Sequence, residues 1–208
     1  MEQPVLDSKI RKWGGLASFL LAVTFLVPNL IYLVGDLRTA IGQAAYHLAD
    51  FLYGPVWSAC LITVVISLRE KFGSHASQRM SLALMSAFLS IGAMMAVALI
   101  RSSNRQYHIL HPELHLEDST TVLIVWTTLI AGLTAAGWHF LGWTQILIGS
   151  AGWQSQQLPR LLNLLYFAAG IVSLFVYLFP VNEGLAVILG MVISIWQGAL
   201  LVKAKPTA

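Results

Sequence analysis

Charge is the scarcest ingredient of this chain: 10% of its 208 residues are Asp, Glu, Lys or Arg, against about a quarter in soluble domains. That shortage excludes an ordinary soluble globular domain, which keeps itself in water with a charged surface. Cysteine is nearly missing as well. Cys60 stands alone inside an apolar run, so no intrachain disulfide forms and the redox compartment stays open. The fingerprints of common nucleotide-binding, redox and calcium-binding classes are absent: no P-loop, no dinucleotide glycine pattern, no Cys-x-x-Cys pair, no EF-hand loop. Nor is there a convincing internal repeat. Three apolar runs on either side of residues 101–118 would allow a three plus three pseudo-symmetry, but the halves do not align.

What is present is hydrocarbon. Hydrophobic residues make up 57% of the chain and the mean hydropathy is +0.74. Six apolar runs fall at about 13–34, 41–68, 80–100, 119–150, 161–179 and 185–202. At about 1.5 Å of rise per residue, a run of about 20 crosses a bilayer core of about 30 Å. The expected fold is therefore all-α, a polytopic membrane bundle of six helices forming one domain over 1–208. The first run exceeds the roughly 7 to 15 apolar residues of a signal peptide and is read as a true span. In the second, Pro55 removes an N–H, frees the Phe51 carbonyl and permits a kink. The polar stretch 72–79 reads as a loop, 101–118 as the only long polar connection and 154–160 as a short turn. Pro180 to Gly184 joins the last two spans. Asp118, Ser119 and Thr120 offer N-cap chemistry to the fourth.

Orientation follows from the basic residues. With the N-terminus in the cytoplasm, that side collects Lys9, Arg11, Lys12, Arg69, Lys71, Arg79, Arg160, Lys203 and Lys205, and only Arg38, Arg101 and Arg105 lie outside. Both termini are expected inside and 101–118 outside. The net charge of +3 and pI near 9.2 would hint at nucleic acid in a soluble protein. Here the basic residues sit at the ends of apolar runs and act as topology signals, so nucleic acid is not an expected partner. Trp13, Trp138, Trp143 and Trp153 read as anchors at the cytoplasmic membrane boundary.

The fourth run carries a second kind of signal. Thr128, Gly132, Ala135, His139, Gly142, Ile146 and Gly149 recur at steps of four and three and share one helix face. On a rod that is greasy nearly all round, a narrow stripe of mostly small and polar residues marks the side that meets other helices. His139 lies on it.

The run from His139 through Gly149, then Ser155, Leu158-Pro159-Arg160 and Ala169-Gly170, resembles a family of bacterial six-helix integral membrane proteins known only as a domain of unknown function. The resemblance covers residues 139–180 well and the first three spans only in hydropathy. It implies a six-helix fold in a bacterial cytoplasmic membrane and brings no catalytic residues or cofactor.

Each span also has a polar or small face. Gln43, His47, Asp50, Gly54 and Ser58 share one, and His47 and Asp50 are spaced so that imidazole and carboxylate can meet. An ionisable residue in a span costs roughly 2.5 to 3.5 kcal/mol on insertion scales and normally faces the bundle interior. The bland alternative places this pair at the outer interface, since 41–68 is longer than a span requires. Asn163, Tyr166, Gly170, Ser173 and Tyr177 repeat the pattern, with Gly190, Ser194 and Gln197 on the last span, Ser86 and Ser90 on the third, and Thr24, Pro28 and Tyr32 beside Asn29 on the first. Turned inward, these faces form two polar layers: His47, Asp50, Asn29, Tyr32 and Tyr177 toward the outside, and His139, Asn163 and Gln197 toward the cytoplasm.

The 101–118 connection holds His108, His111 and His115, and the last two are four apart as a metal-binding pair would be. Pro112 and the displaced Glu113 break the zinc-protease order, and the surrounding leucines fit a hairpin lying on the membrane. Gly149-Ser150-Ala151-Gly152 departs by one position from the serine motif of intramembrane proteases and is set aside. The leading expectation is a non-enzymatic bundle that binds or moves a small amphipathic or lipid-like ligand between its polar faces. The partners are then membrane lipids and that ligand, with a second copy of the chain, met through small residues such as Gly142 and Gly149, as the contact a scaffold reading would use. The alternatives are an intramembrane enzyme using His47 and Asp50 as acid and base, and a membrane scaffold or interaction protein.

Overall fold

The structure, a computed structural model, describes residues 3–36, 39–110 and 120–203, with no β-strand among them. Seven α-helices follow in chain order: α1 Gln3–Val34, α2 Ala40–Phe51, α3 Trp57–Phe72, α4 Ser77–Leu110, α5 Thr120–Ser155, α6 Arg160–Leu174 and α7 Asn182–Lys203. Among the described residues, five stretches are long and apolar enough to cross a membrane: Lys9–Val34, Ala40–Phe72, Ser77–Tyr107, Thr120–Ser155 and Asn182–Lys203.

The second of these is not one regular helix. A π-helical turn, Leu52–Val56, stands between α2 and α3 and contains Pro55. Without an N–H, proline cannot complete the ordinary ladder, and one wider turn absorbs the mismatch. The fifth apolar run also departs from expectation. α6 has 15 residues, about 22 Å at 1.5 Å per residue, and residues 175–178 continue as turns. Phe179 N donates to Phe175 O at 2.9 Å, and Pro180 then forbids helical continuation because it disfavours α conformation in the residue before it. Hydropathy alone cannot register this break.

The expected long polar connection is the larger correction. Residues 101–110 are the last turns of α4, not a loop. Ser, Asn, Arg and Gln without Gly or Pro are polar but do not break a helix. Residues 111–119, including His111, His115, Asp118 and Ser119, lie outside the described residues. At the other end of α4, the expected loop shrinks to a short 3-10 turn, Gly73–Ala76. Gly73 ends α3 at φ 62°, where glycine carries no Cβ penalty.

Chain neighbours are spatial neighbours: α1 packs on α3, α3 on α4, α4 on α5, α5 on α6, α6 on α7, and α7 returns to α1. The helices thus close a ring whose interior is filled by Phe25, Trp57, Leu61, Val64, Val65, Trp138, Ile148 and Ile193, all under 7% exposed. Close packing depends on small residues where α5 meets α6. Gly142 faces Gly170 and Leu174, and Gly149 faces Asn163 and Tyr166, so the two glycines expected to serve a second copy are occupied within one chain.

The predicted stripe on α5 is correct only in its second half. Thr128 and Gly132 are exposed, Ala135, His139 and Ile146 are half-buried, and Gly142 and Gly149 are buried. Burial on α5 instead covers a broad arc that includes Gly137, Trp138, Leu141, Gln145 and Ile148, because α4 and α6 grip opposite sides of its C-terminal half. Its first turns have no such cover: Leu123, Ile124 and Val125 are each more than half exposed. Nothing lies within 4 Å of where a Cβ at Gly132 would stand. Gly132→Ala is accordingly expected to be neutral to stabilising, by up to about 1 kcal/mol from helix propensity, in a thermal melt in maltoside micelles. A clear loss of stability would reveal a neighbour at this site.

Candidate functional site: a polar vestibule at one end of the ring

α1 and α4 finish, and α2 and α7 begin, at the same end of the bundle. A cavity of about 420 Å³ opens there, lined by Asn29 and Tyr32 from α1, Tyr46 from α2, Tyr53 from the π turn, Arg101 and Arg105 from α4, and Glu183 from α7. Helical spacing assembles it. Asn29 and Tyr32 are one turn apart, as are Arg101 and Arg105, while Tyr46, Asp50 and Tyr53 follow at steps of four and three.

Asp50 organises the wall. At 2% exposure its carboxylate accepts the Tyr32 hydroxyl at 2.5 Å and pairs with the Arg105 guanidinium. Arg105 also donates to the Tyr46 carbonyl at 3.4 Å and lies 5.7 Å from the Tyr46 ring centre. Arg101 sits 5.4 Å from the Tyr32 ring centre, and the Tyr32 and Tyr46 rings are themselves 5.5 Å apart. Cations held on aromatic faces away from bulk water gain about 1 to 2 kcal/mol each, so the two arginines are held in place by rings as well as by charge. Glu183 is held in turn by Trp138, whose indole N–H donates to its Oε1 at 3.2 Å and whose ring stacks on Phe25 at 6.3 Å. This corrects the expectation that Trp138 anchors a membrane boundary: it is 1% exposed, whereas Trp13, Trp143 and Trp153 are each more than 40% exposed.

Of the residues expected in the outer polar layer, Asn29, Tyr32 and Asp50 meet at this vestibule. His47 does not join them. Its Nδ1 lies 3.3 Å from Ser102 Oγ, in a separate open groove with Ser103, Gln106 and Tyr107, while Asp50 is committed to Tyr32 and Arg105. Tyr177 is 54% exposed and stands edge-on to His139, ring centres 6.2 Å apart. His139 in turn accepts the Trp143 indole N–H at 3.3 Å. These two rings, expected in different layers, share one site on the flank of the bundle.

The expected inner layer also divides. Gln197, 1% exposed, accepts the Tyr166 hydroxyl and donates to Ser18 Oγ at 3.0 Å, and Ser18 donates to the Gly14 carbonyl at 2.8 Å. This relay ties α6 to α7 to α1 across the ring. Beside it is a void of about 30 Å³ that Thr144, Gln145 and Ser194 also line, about the size of one water. Asn163 is elsewhere, in the α5–α6 contact, where its amide donates to the Leu158 carbonyl at 3.4 Å and fastens the turn before α6. The metal reading of His108, His111 and His115 rests on side chains outside the described residues.

Arg101, Arg105, Tyr46, Tyr53 and Glu183 were not singled out by sequence patterning. The arginines fell in a stretch taken for loop, and tyrosines near a boundary resemble ordinary interface residues. The available signal was the four-residue spacing of Arg101 and Arg105 with no helix breaker between them. On its own geometry the chain is an apolar helical bundle with spans enough for a multi-pass membrane protein. No protein-family model, curated protein or solved structure matches it, so no family is identified for the chain.

Proposed function

We propose that this chain is a multi-pass integral membrane protein that holds a small amphipathic or lipid-like ligand by its polar end in the vestibule. One observation carries the reading: a cavity large enough for a headgroup, lined by two guanidinium groups, a carboxylate and three tyrosines, in a protein whose remaining surface is largely apolar. Such a site, with a few convergent polar groups at the mouth of a helix bundle, is the usual form of a small-molecule pocket. The filled interior of the ring, with Phe25 and Trp138 in it, favours holding over passage. The distribution of basic residues supports termini in the cytoplasm and a vestibule on the outer side. In this reading α6 and the turns at 175–178 complete a sixth crossing, in keeping with the resemblance of residues 139–180 to bacterial six-helix membrane proteins. A catalytic reading of His47 and Asp50 has no contact between the two side chains to stand on.

The test is retention. Protein purified from native membrane in a mild maltoside is expected to carry an amphipathic molecule through gel filtration, seen as an added mass in native mass spectrometry. Arg101→Ala, which removes a cavity cation without unpairing Asp50, is expected to reduce that occupancy at least tenfold while costing stability no more than the one ring contact it gives up, about 1 to 2 kcal/mol, and to melt above Asp50→Ala. Equal occupancy in the two proteins would refute the reading.

A further inference from the structure

Resting on that reading, we infer that the vestibule selects a zwitterion: a molecule bearing a primary ammonium and a phosphate or carboxylate a few bonds apart. Arg105 is neutralised by Asp50. That leaves Arg101 and Glu183 as one positive and one negative group on a single cavity, and among the described residues no ion pair joins them. Both line the one cavity of about 420 Å³, so their charges lie within the span of one small ligand.

The hydrogen-bonding inventory divides the cavity in the same way. On the α1 and α7 side, Asn29 spends one of its two amide N–H groups on the Phe25 carbonyl at 2.7 Å, and its oxygen remains to accept. Glu183 receives Trp138 on Oε1, and Oε2 remains. Two acceptors, one of them charged, suit the three N–H donors of an ammonium. On the α4 side the cavity meets guanidinium groups, which donate and cannot accept: the Arg101 fork, and Arg105, whose Nε is buried with no hydrogen-bond partner. Planar guanidinium donors match phosphate and carboxylate oxygens. A purely anionic ligand would satisfy the α4 side and place negative charge against Glu183; a purely cationic one would do the reverse with Arg101. A quaternary ammonium would leave the two acceptors unfilled.

The test uses the full chain in maltoside micelles, with binding measured by titration calorimetry. The probes are dihexanoyl phosphatidylethanolamine, dihexanoyl phosphatidylglycerol with the same tails, and free phosphoethanolamine. Phosphatidylethanolamine is expected to bind at least tenfold tighter than phosphatidylglycerol. Glu183→Gln is expected to erase that preference, and Arg101→Gln to weaken both lipids. Each variant is checked by melting temperature and gel filtration, and Glu183→Asp, which keeps the charge, is expected to retain part of the preference. Binding of free phosphoethanolamine as tight as the lipid would mark a soluble zwitterion as the source; dependence on the tails would mark a membrane lipid. Either result supports the inference. Phosphatidylglycerol binding as tightly as phosphatidylethanolamine, or a preference untouched by Glu183→Gln, overturns it and leaves the vestibule as a ligand site of another class. No binding by any probe, in a protein that also purifies without an added mass, overturns both.

Discussion

Asp50→Ala is expected to lower the stability of the folded protein by about 3 kcal/mol, the low end of the cost of breaking a buried ion pair by removing one partner. Asp50 is 2% exposed, and its loss would leave the Arg105 guanidinium with only a backbone carbonyl and the Tyr46 ring for company. Arg105 keeps 16% of its side-chain surface, so some solvent reaches the orphaned charge, which is why the low end applies. Tyr32 would lose its acceptor at the same time. Tyr32→Phe alone removes one hydrogen bond and should cost about 1 kcal/mol. The decisive comparison is the double variant Asp50→Leu with Arg105→Met. Replacing a buried pair with apolar groups of similar volume is often neutral, so this protein should recover most of what Asp50→Ala loses. The measurement is the fraction remaining monodisperse on gel filtration after heating in maltoside micelles. If Asp50→Ala melted with the wild type, Asp50 would be an interface residue in contact with water, the bland reading of its place in the sequence.

The architecture was legible because the bilayer sets a length that composition cannot disguise. Runs of about 20 apolar residues mark helices whatever their packing, and Pro55 announced the irregularity that the structure resolves as a π turn. Two features were not legible. The break after Leu174 is made by local turns and Pro180 within a stretch that remains greasy throughout, so a hydropathy window runs through it. The last turns of α4 are polar, and polarity reads as loop even where nothing in Ser102 to Tyr107 opposes a helix. That second misreading hid the vestibule, because Arg101 and Arg105 acquire their meaning only as consecutive turns of one rod facing Tyr32 and Tyr46. Asp50 was legible as an interior group; its partner was not. Spacing offered His47, three residues away on the same helix, whereas the structure supplies Arg105 from another helix. His139 shows the opposite limit. It sits where periodicity put it relative to Gly142, but α4 and α6 grip α5 from directions one helix cannot reveal, and His139 falls at the rim beside exposed Tyr177.

Gly142 and Gly170 lead to the other large effect. A Cβ at Gly142 would stand 2.7 Å from the Gly170 carbonyl oxygen and 2.9 Å from the Leu174 nitrogen, and a Cβ at Gly170 would stand 2.8 Å from the Gly142 carbonyl oxygen. These are backbone atoms, which no rotamer change can move. Even alanine must push α5 and α6 apart, at about 1 to 3 kcal/mol by the usual cost of overpacking, and leucine should cost more. The damage would spread along α6, since Tyr166 one turn before Gly170 holds the relay through Gln197 to Ser18 that closes the ring. Gly170→Ala and Gly142→Ala are therefore expected to melt well below the wild type, while Gly132→Ala on the same α5 helix does not. The same variants separate the two uses of a small residue in a membrane helix. Were Gly142 the seat of a second copy, Gly142→Leu would dissociate an oligomer and leave the monomer's melting temperature nearly intact. Packed as it is against Gly170, it should lower the melting temperature and leave the oligomeric state in native-membrane crosslinking unchanged.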